Sequence, residues 1–164
     1  MWTAIQKNVS WRAIPVAGLL AGTVFLLTNL LLSWLVFDIQ PGLFLRYVAS
    51  LALGSDVLTT SGEGAWIAGL GVHYALSLLF ALVIAIVIHR WGLWVGIIGG
   101  GVLGLAIYAI NLYTMTLLFD WFFAINSTVL AASHALFGAV AGGTYELFDH
   151  YDTQFELEME LNYE

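Results

Sequence analysis

The chain has 164 residues, of which 61% are hydrophobic and 9% are charged, a composition that excludes a soluble globular domain. It contains no cysteine, which excludes disulfides, thiolate metal sites and cysteine nucleophiles. The formal net charge of −7 arises mainly near the C-terminus, so it describes that end and not the apolar part of the chain.

Long apolar runs predict an all-α membrane protein with four transmembrane helices. A helix needs about 20 apolar residues to cross a bilayer, and such helices are predicted over residues 14–37, 65–88, 92–119 and 122–147. Residues 14–147 then form one bundle, preceded by a short lead, residues 1–13, at the membrane interface. Residues 41–53 are too few to span but carry apolar side chains at helical spacing, which predicts an interfacial helix between the first two spans.

Two stretches of the chain match each other without a gap. Residues 21–38 align with residues 103–120 at an offset of 82 (111 minus 29). A His in the next helix of each half, His73 and His134, is followed four positions later by a small residue. We therefore predict a duplicated helical hairpin, so that the bundle consists of two tandem hairpins. The less common matches pair Gly22 with Gly104, Asn29 with Asn111 and Asp38 with Asp120.

Each predicted hairpin holds one Asn and one His within otherwise apolar helices. Asn29, His73, Asn111 and His134 are predicted to share one level, roughly 12–18 Å from the membrane surface at 1.5 Å per residue. One interpretation is structural, with each His hydrogen-bonded to an Asn between helices. Another is a binding layer for a quinone, lipid or solute, and a third has His73 and His134 as haem ligands. No metal-ion site and no other cofactor is predicted.

The sequence predicts no enzyme. No Lys, Arg, Asp or Glu lies within the four predicted spans apart from Glu146 at the end of the last one. Ser127 is about two helical turns from His134, and no buried carboxylate is available to orient that imidazole as a hydrolytic triad requires. The lesser candidates for the polar layer are Tyr113, Thr116, Ser127 and Tyr145.

The basic residues predict the orientation of the bundle. Lys7, Arg12 and Arg90 fall on one side, and Arg46 is the single basic residue on the other. The positive-inside rule then places both termini in the cytoplasm. The side chains predicted to lie at the interface are Arg46, Trp91 and Trp121.

The last residues, 148–164, form an acidic cytoplasmic tail, and from residue 155 onwards apolar and polar side chains alternate. This period of two is typical of a strand that pairs with a partner's sheet edge, and the alternative is a disordered tail. The negative charge favours a basic protein partner. The predicted partner-binding side chains are Phe155, Leu157, Met159, Leu161 and Tyr163.

Three stretches carry a family resemblance: LRYVASLALGSDVL, AIYAINLYTMTLLFDWF and SHALFGAVAGGTYE. They resemble a widespread group of small bacterial four-helix integral membrane proteins, some of which carry the label "sodium:proline symporter". The resemblance covers about residues 14–147 and implies a multi-pass protein of the bacterial inner membrane, without implying an activity. The chain departs from the group at Asp120, where a Pro is expected. The matched family positions are Arg46, Asn111, Tyr113, Thr116 and His134.

Three functions are compatible with these observations. The first is a non-enzymatic accessory subunit of a larger membrane complex. The small size of the chain and its predicted partner-binding tail favour this function. The second is a small oligomeric transporter or channel, and the third is a haem- or quinone-binding electron-transfer component. The predicted partners are the lipid bilayer and other membrane protein subunits or further copies of the chain, and no nucleic acid.

Overall fold

The computed structural model describes residues 9–59, 64–89 and 91–163, with side chains as far as Asp149. Every regular element in these residues is helical, which confirms the all-α prediction. The α-helices are α1 (Ala13–Phe37), α2 (Pro41–Leu53), α3 (Gly64–Ile88), α4 (Leu93–Leu118) and α5 (Thr128–Tyr163). Two short 3₁₀ helices, η1 (Ser55–Leu58) and η2 (Asp120–Ile125), lie between them.

In the described part of the chain, three helices, α1, α3 and α4, are long and apolar enough to cross a membrane, with 25, 25 and 26 residues. Many large apolar side chains on them point away from the protein interior, as expected of surfaces that meet lipid. Leu27, Leu35, Ile98 and Leu117 are 63%, 63%, 66% and 87% exposed. The chain is therefore a membrane protein.

The structure corrects the predicted fourth helix at both ends. Residues 120–125 form η2, and α5 begins at Thr128 and not near residue 122. At the other end α5 continues through Tyr163, so both interpretations of the acidic tail, strand and disorder, are wrong. Glu, Leu and Met favour a helix, and no Gly or Pro follows Gly143 to end it. The side chains of the predicted partner-binding residues in the tail lie outside the described part of the chain, as do residues 1–8 of the predicted N-terminal lead.

Glycines bring α4 and α5 into backbone contact. A side chain at Gly104 would collide with the His134 carbonyl, and one at Gly100 with the Gly138 carbonyl. The two helices run antiparallel, since Gly96 meets Gly142 further along the pair. Small residues at spacing four allow this approach, which maximises dispersion contact in lipid, where no hydrophobic force drives helices together.

α1 occupies the centre of the molecule, packed between α3 and α5. Its contact with α3 is also antiparallel: Gly18 lies against Leu78, and Gly22 lies against Ser77. α2 packs across α3, with the Leu45 carbonyl against Gly69. By contrast, α3 and α4 touch over only a short stretch, so the molecule is least filled between them.

Glu146 fixes the turn between α3 and α4. Its side chain is buried, and its two oxygens accept hydrogen bonds from the N–H groups of Trp91 (3.2 Å) and Gly92 (2.9 Å). Gly92 has a φ of 88°, which favours glycine. The first N–H groups of a helix have no partner within it, so a carboxylate at this end supplies acceptors that match the helix dipole.

We expect Glu146→Leu to lower the free energy of unfolding by roughly 2 kcal/mol, because it leaves the Gly92 N–H without an acceptor and the Trp91 N–H with only its bond to the Ile88 carbonyl. Stability in mild detergent, measured by titration with a denaturing detergent, checks this. Leu147→Ala is the control, since Leu147 is 45% exposed and lies next to Glu146 on α5. Equal stability of Glu146→Leu and the wild type would show that the carboxylate does not hold the turn.

Candidate functional site

A cavity of about 560 Å³ lies where α3 and α4 diverge. Side chains of α1, α2, η2 and α5 complete its lining. Most of the lining is apolar, interrupted by a few polar groups, which is the usual make-up of a site for a small lipophilic molecule. The polar or titratable lining residues are His73, Ser77, Tyr108, Asn111 and His134.

Three of the four predicted layer residues line this one cavity. His73 comes from α3, Asn111 from α4 and His134 from α5, so three different helices contribute them. The fourth, Asn29, lines a second cavity. The four side chains therefore do not surround a single site.

Phe25 of α1 lies against both imidazoles. Its ring centroid is 5.3 Å from that of His73 at an interplanar angle of 31°, and 4.8 Å from that of His134 in an edge-to-face arrangement at 89°. An aromatic side chain of α1 thus contacts both imidazoles. Phe25 is 6% exposed and holds the two rings in place.

The hydrogen bonds of the two imidazoles fix what each ring offers. His73 Nε2 lies 2.9 Å from the Gly22 carbonyl oxygen, and His134 Nδ1 lies 2.9 Å from the Leu130 carbonyl oxygen. A carbonyl only accepts, so each of these nitrogens carries the proton in a neutral ring. The remaining nitrogens, His73 Nδ1 and His134 Nε2, are acceptors. These contacts with backbone carbonyls take the place of the predicted His–Asn pairs.

The geometry does not fit haem bound between His73 and His134. The Phe25 ring lies against both imidazoles, where a porphyrin would have to pass. Within the described part of the chain, no group of three or more His, Asp or Glu side chains is placed to hold a metal ion.

The second cavity, of about 540 Å³, lies between the end of α1, the first half of α2 and the junction of η2 with α5. Asn29 is 1% exposed there, and its Oδ1 has no hydrogen-bond partner among the described residues. An unsatisfied buried polar group costs about 1–3 kcal/mol. Phe44 and Ile125 line both cavities and so form the wall between them.

A hydrogen bond crosses that wall. Tyr108, which lines the first cavity, donates its hydroxyl to Asn126 Oδ1 in the second, at 2.6 Å. The sequence analysis did not single out Phe25, Tyr108 or Asn126. Helical spacing gave a signal for two of them, because Phe25 precedes Asn29 by one turn and Tyr108 precedes Asn111 by three residues.

The lesser candidates from the sequence lie apart from the first cavity. Tyr113 is 62% exposed, and the Thr116 hydroxyl donates to the Leu112 carbonyl at 2.6 Å. The Ser127 hydroxyl accepts from the Leu130 N–H at 3.0 Å and caps α5, and the buried Tyr145 hydroxyl accepts from the Ser10 N–H at 3.2 Å. Ser127, Tyr145 and Thr116 therefore serve local structure, and Ser127 also lines the second cavity.

The predicted interfacial residues differ in their surroundings. Trp91 is 62% exposed at the α3–α4 turn, and Arg46 is half-buried on α2. The Trp121 indole N–H donates to Ser50 Oγ at 3.0 Å, which ties η2 to α2.

Comparison with known proteins identifies no relative: no family model, no curated protein and no solved structure matches the chain. The resemblance to the small bacterial four-helix group stays a prediction. The two cavities and their linings are therefore the features that bear on function.

Proposed function

We propose that the chain is a non-enzymatic integral membrane protein that binds a lipophilic small molecule between α3 and α4. The observation that carries this proposal is the cavity of about 560 Å³, with an apolar lining into which three helices bring His73, Asn111 and His134. An unfilled space of this size forfeits dispersion contacts, so a bound molecule that fills it would stabilise the bundle.

In this proposal the first part of α5 is the fourth transmembrane span. The bundle then consists of two hairpins derived by duplication. Equivalent contacts support the duplication. Gly22 packs against Ser77 in one hairpin, and the matching Gly104 packs against Gly138 in the other. Each contact lies at the level of the hairpin's His, because Ser77 and Gly138 both follow that His by four residues. Both termini are placed in the cytoplasm on the strength of the basic residues.

The lining selects a neutral ligand with a hydroxyl group. Among the described residues, no Lys, Arg, Asp or Glu belongs to it, so an ion would be desolvated without a counter-charge. His73 Nδ1 and His134 Nε2 are hydrogen-bond acceptors, so they suit a ligand that donates a hydrogen bond. A lipophilic alcohol or a phenol, such as a reduced quinone, supplies an O–H at one end and an apolar body for the rest of the cavity.

The same side chains support binding and not catalysis. The Ser77 hydroxyl donates to the His73 backbone carbonyl at 2.8 Å, so it is not paired with an imidazole nitrogen as a nucleophile. No carboxylate in the lining orients either ring. The polar groups are therefore assigned to holding and orienting the ligand.

We expect Met115→Trp to reduce the bound lipophilic molecule by about tenfold or more, a loss of roughly 1.4 kcal/mol, because the indole fills part of the cavity. Met115 lines the cavity, whereas Leu117, two residues further on α4, is 87% exposed and does not. Leu117→Trp is thus the matched control. The measurement is native mass spectrometry of protein released from membranes in mild detergent. Equal occupancy of both variants, or no bound molecule in the wild type, contradicts the proposal.

A second proposed role, accessory subunit of a larger complex, is favoured by the length of α5. It has 36 residues against 25 or 26 in α1, α3 and α4, so at 1.5 Å per residue it is longer than a bilayer crossing needs. Six carboxylates occur in residues 149–164, which suits a basic partner. Removing residues 152–164 is expected to release a co-purifying membrane protein while the bundle stays folded. Co-purification of the same partner after truncation would contradict this role.

A further inference from the structure

We infer that the second cavity is a separate binding site for a neutral molecule rich in hydroxyl groups, such as the uncharged headgroup of a glycerol- or sugar-based lipid. Side chains from α1, α2, η2 and the start of α5 form it, and half of them are polar. The lining comprises Asn29, Ser33, Phe37, Ile39, Leu43, Phe44, Tyr47, Ala124, Ile125, Asn126, Ser127 and Thr128.

Asn29 is the observation that points to a ligand. It lies on the apolar helix α1, is 1% exposed, and its Oδ1 lacks a hydrogen-bond partner among the described residues. Other polar side chains of the lining already have partners: Asn126 accepts from Tyr108, and Ser127 accepts from the Leu130 N–H. A buried amide that the protein leaves unsatisfied needs a donor from outside the chain.

The charge of the lining narrows the class of ligand. In the part of the chain that the structure describes, no Asp, Glu, Lys, Arg or His belongs to it. An ammonium group would enter without a counter-charge, and a phosphate would find no cation, so both would be desolvated at high cost. Hydroxyl groups are neutral, donate to Asn29 Oδ1 and accept from the hydroxyl and amide groups of the same lining.

The depth of the cavity favours a lipid over a solute within the bilayer core. Its lining runs from Asn29, inside α1, to Ile39, beyond the end of that helix at Phe37. At 1.5 Å per residue, Asn29 lies about 12 Å from the helix end. The cavity therefore reaches from the helix end, where headgroups lie, towards the acyl chains.

Thermal unfolding in mild detergent with 1-monooleoylglycerol tests this inference. Methyl oleate, which lacks hydroxyl groups, and free glycerol are the comparison probes. The Met115→Trp variant is used alongside the wild type so that binding in the first cavity is separated from binding in the second. We expect 1-monooleoylglycerol to raise the unfolding midpoint by about 2–4 °C more than methyl oleate does, in both proteins. The same shift with free glycerol also supports the site and assigns it to soluble polyols.

The variant Asn29→Leu tests the residue directly. We expect it to unfold at a higher temperature than the wild type without any probe, because an unsatisfied amide has been removed, and to lose the shift with 1-monooleoylglycerol. Thr28→Val is the matched control, since Thr28 is adjacent on α1 and lines neither cavity. The inference is overturned if Asn29→Leu keeps the shift, if methyl oleate gives an equal shift, or if no probe gives one, which would mean that only water fills the cavity.

Discussion

Gly104→Ala and Gly100→Ala each lower the free energy of unfolding by roughly 3 kcal/mol, because a single methyl group forces α4 away from α5. The added Cβ would meet the His134 carbonyl in the first case and the Gly138 carbonyl in the second. These are backbone atoms, which do not rotate away as the end of a flexible side chain does. Since His134 lines the first cavity, Gly104→Ala is also expected to weaken ligand binding there.

The same glycine-rich stretch supplies the control for this prediction. A Cβ at Gly101 would find its nearest neighbour, the Ala135 carbonyl, at 3.6 Å, which is an ordinary contact. Gly101→Ala is therefore expected to be neutral or to stabilise by up to about 1 kcal/mol through helix propensity. Unfolding titrations of the three variants check this. Equal effects at positions 100, 101 and 104 would contradict backbone contact between α4 and α5.

Phe25→Ala lowers the free energy of unfolding by about 3–5 kcal/mol, the usual cost of removing a buried aromatic ring. The ring contacts His73 and His134, and lies 6.2 Å from Phe44 and 6.4 Å from Phe137 between centroids. It therefore joins α1, α2, α3 and α5 at one level. Leu27→Ala, at a position 63% exposed on the same helix, is expected to change stability by less than about 0.5 kcal/mol.

Phe25→Leu separates packing from the positioning of the imidazoles. Leu keeps an apolar side chain at this position, so the change costs less stability than Phe25→Ala does, yet it removes the aromatic surface that holds both His rings. We expect near-normal unfolding together with weaker binding of the lipophilic molecule, measured by native mass spectrometry. Unchanged binding in Phe25→Leu would mean that the two rings need no aromatic support.

The apolar runs predicted most of the helices because the thickness of the bilayer fixes the length of a spanning helix within narrow limits. α1, α3 and α4 begin and end within one residue of the predicted bounds, and α2 matches residues 41–53. Pro41 at its first turn and Gly54 after its end are start and stop signals that can be read from the sequence. Gly54 has a φ of 86° in the structure, which favours glycine. Gly96, Gly100 and Gly104 lie at spacing four on α4, a pattern that is typical of a close helix–helix contact in a membrane.

The beginning of α5 and the two cavities were harder to predict. Residues 122–125 are apolar and contain no helix breaker, so they extended the predicted helix, although Ser127 is a good N-cap and caps α5 in the structure. In the tail, the strict alternation of apolar and polar side chains indicated a strand, although Glu, Leu and Met favour a helix. A cavity depends on where helices fail to touch, and the gap between α3 and α4 leaves no mark on either sequence. For the same reason, the contact of Phe25 with both imidazoles could not be predicted from the sequence.

The most direct test of ligand binding between α3 and α4 is photolabelling in native membranes. A lipophilic alcohol with a photoreactive group in its apolar chain is activated, and labelled residues are mapped by mass spectrometry. We expect labels to concentrate on cavity residues such as Val72, Leu76 and Met115, and to be displaced by an excess of the unlabelled alcohol. Labels spread evenly over lipid-facing positions such as Leu27, Ile98 and Leu117, without displacement, would contradict the proposed site.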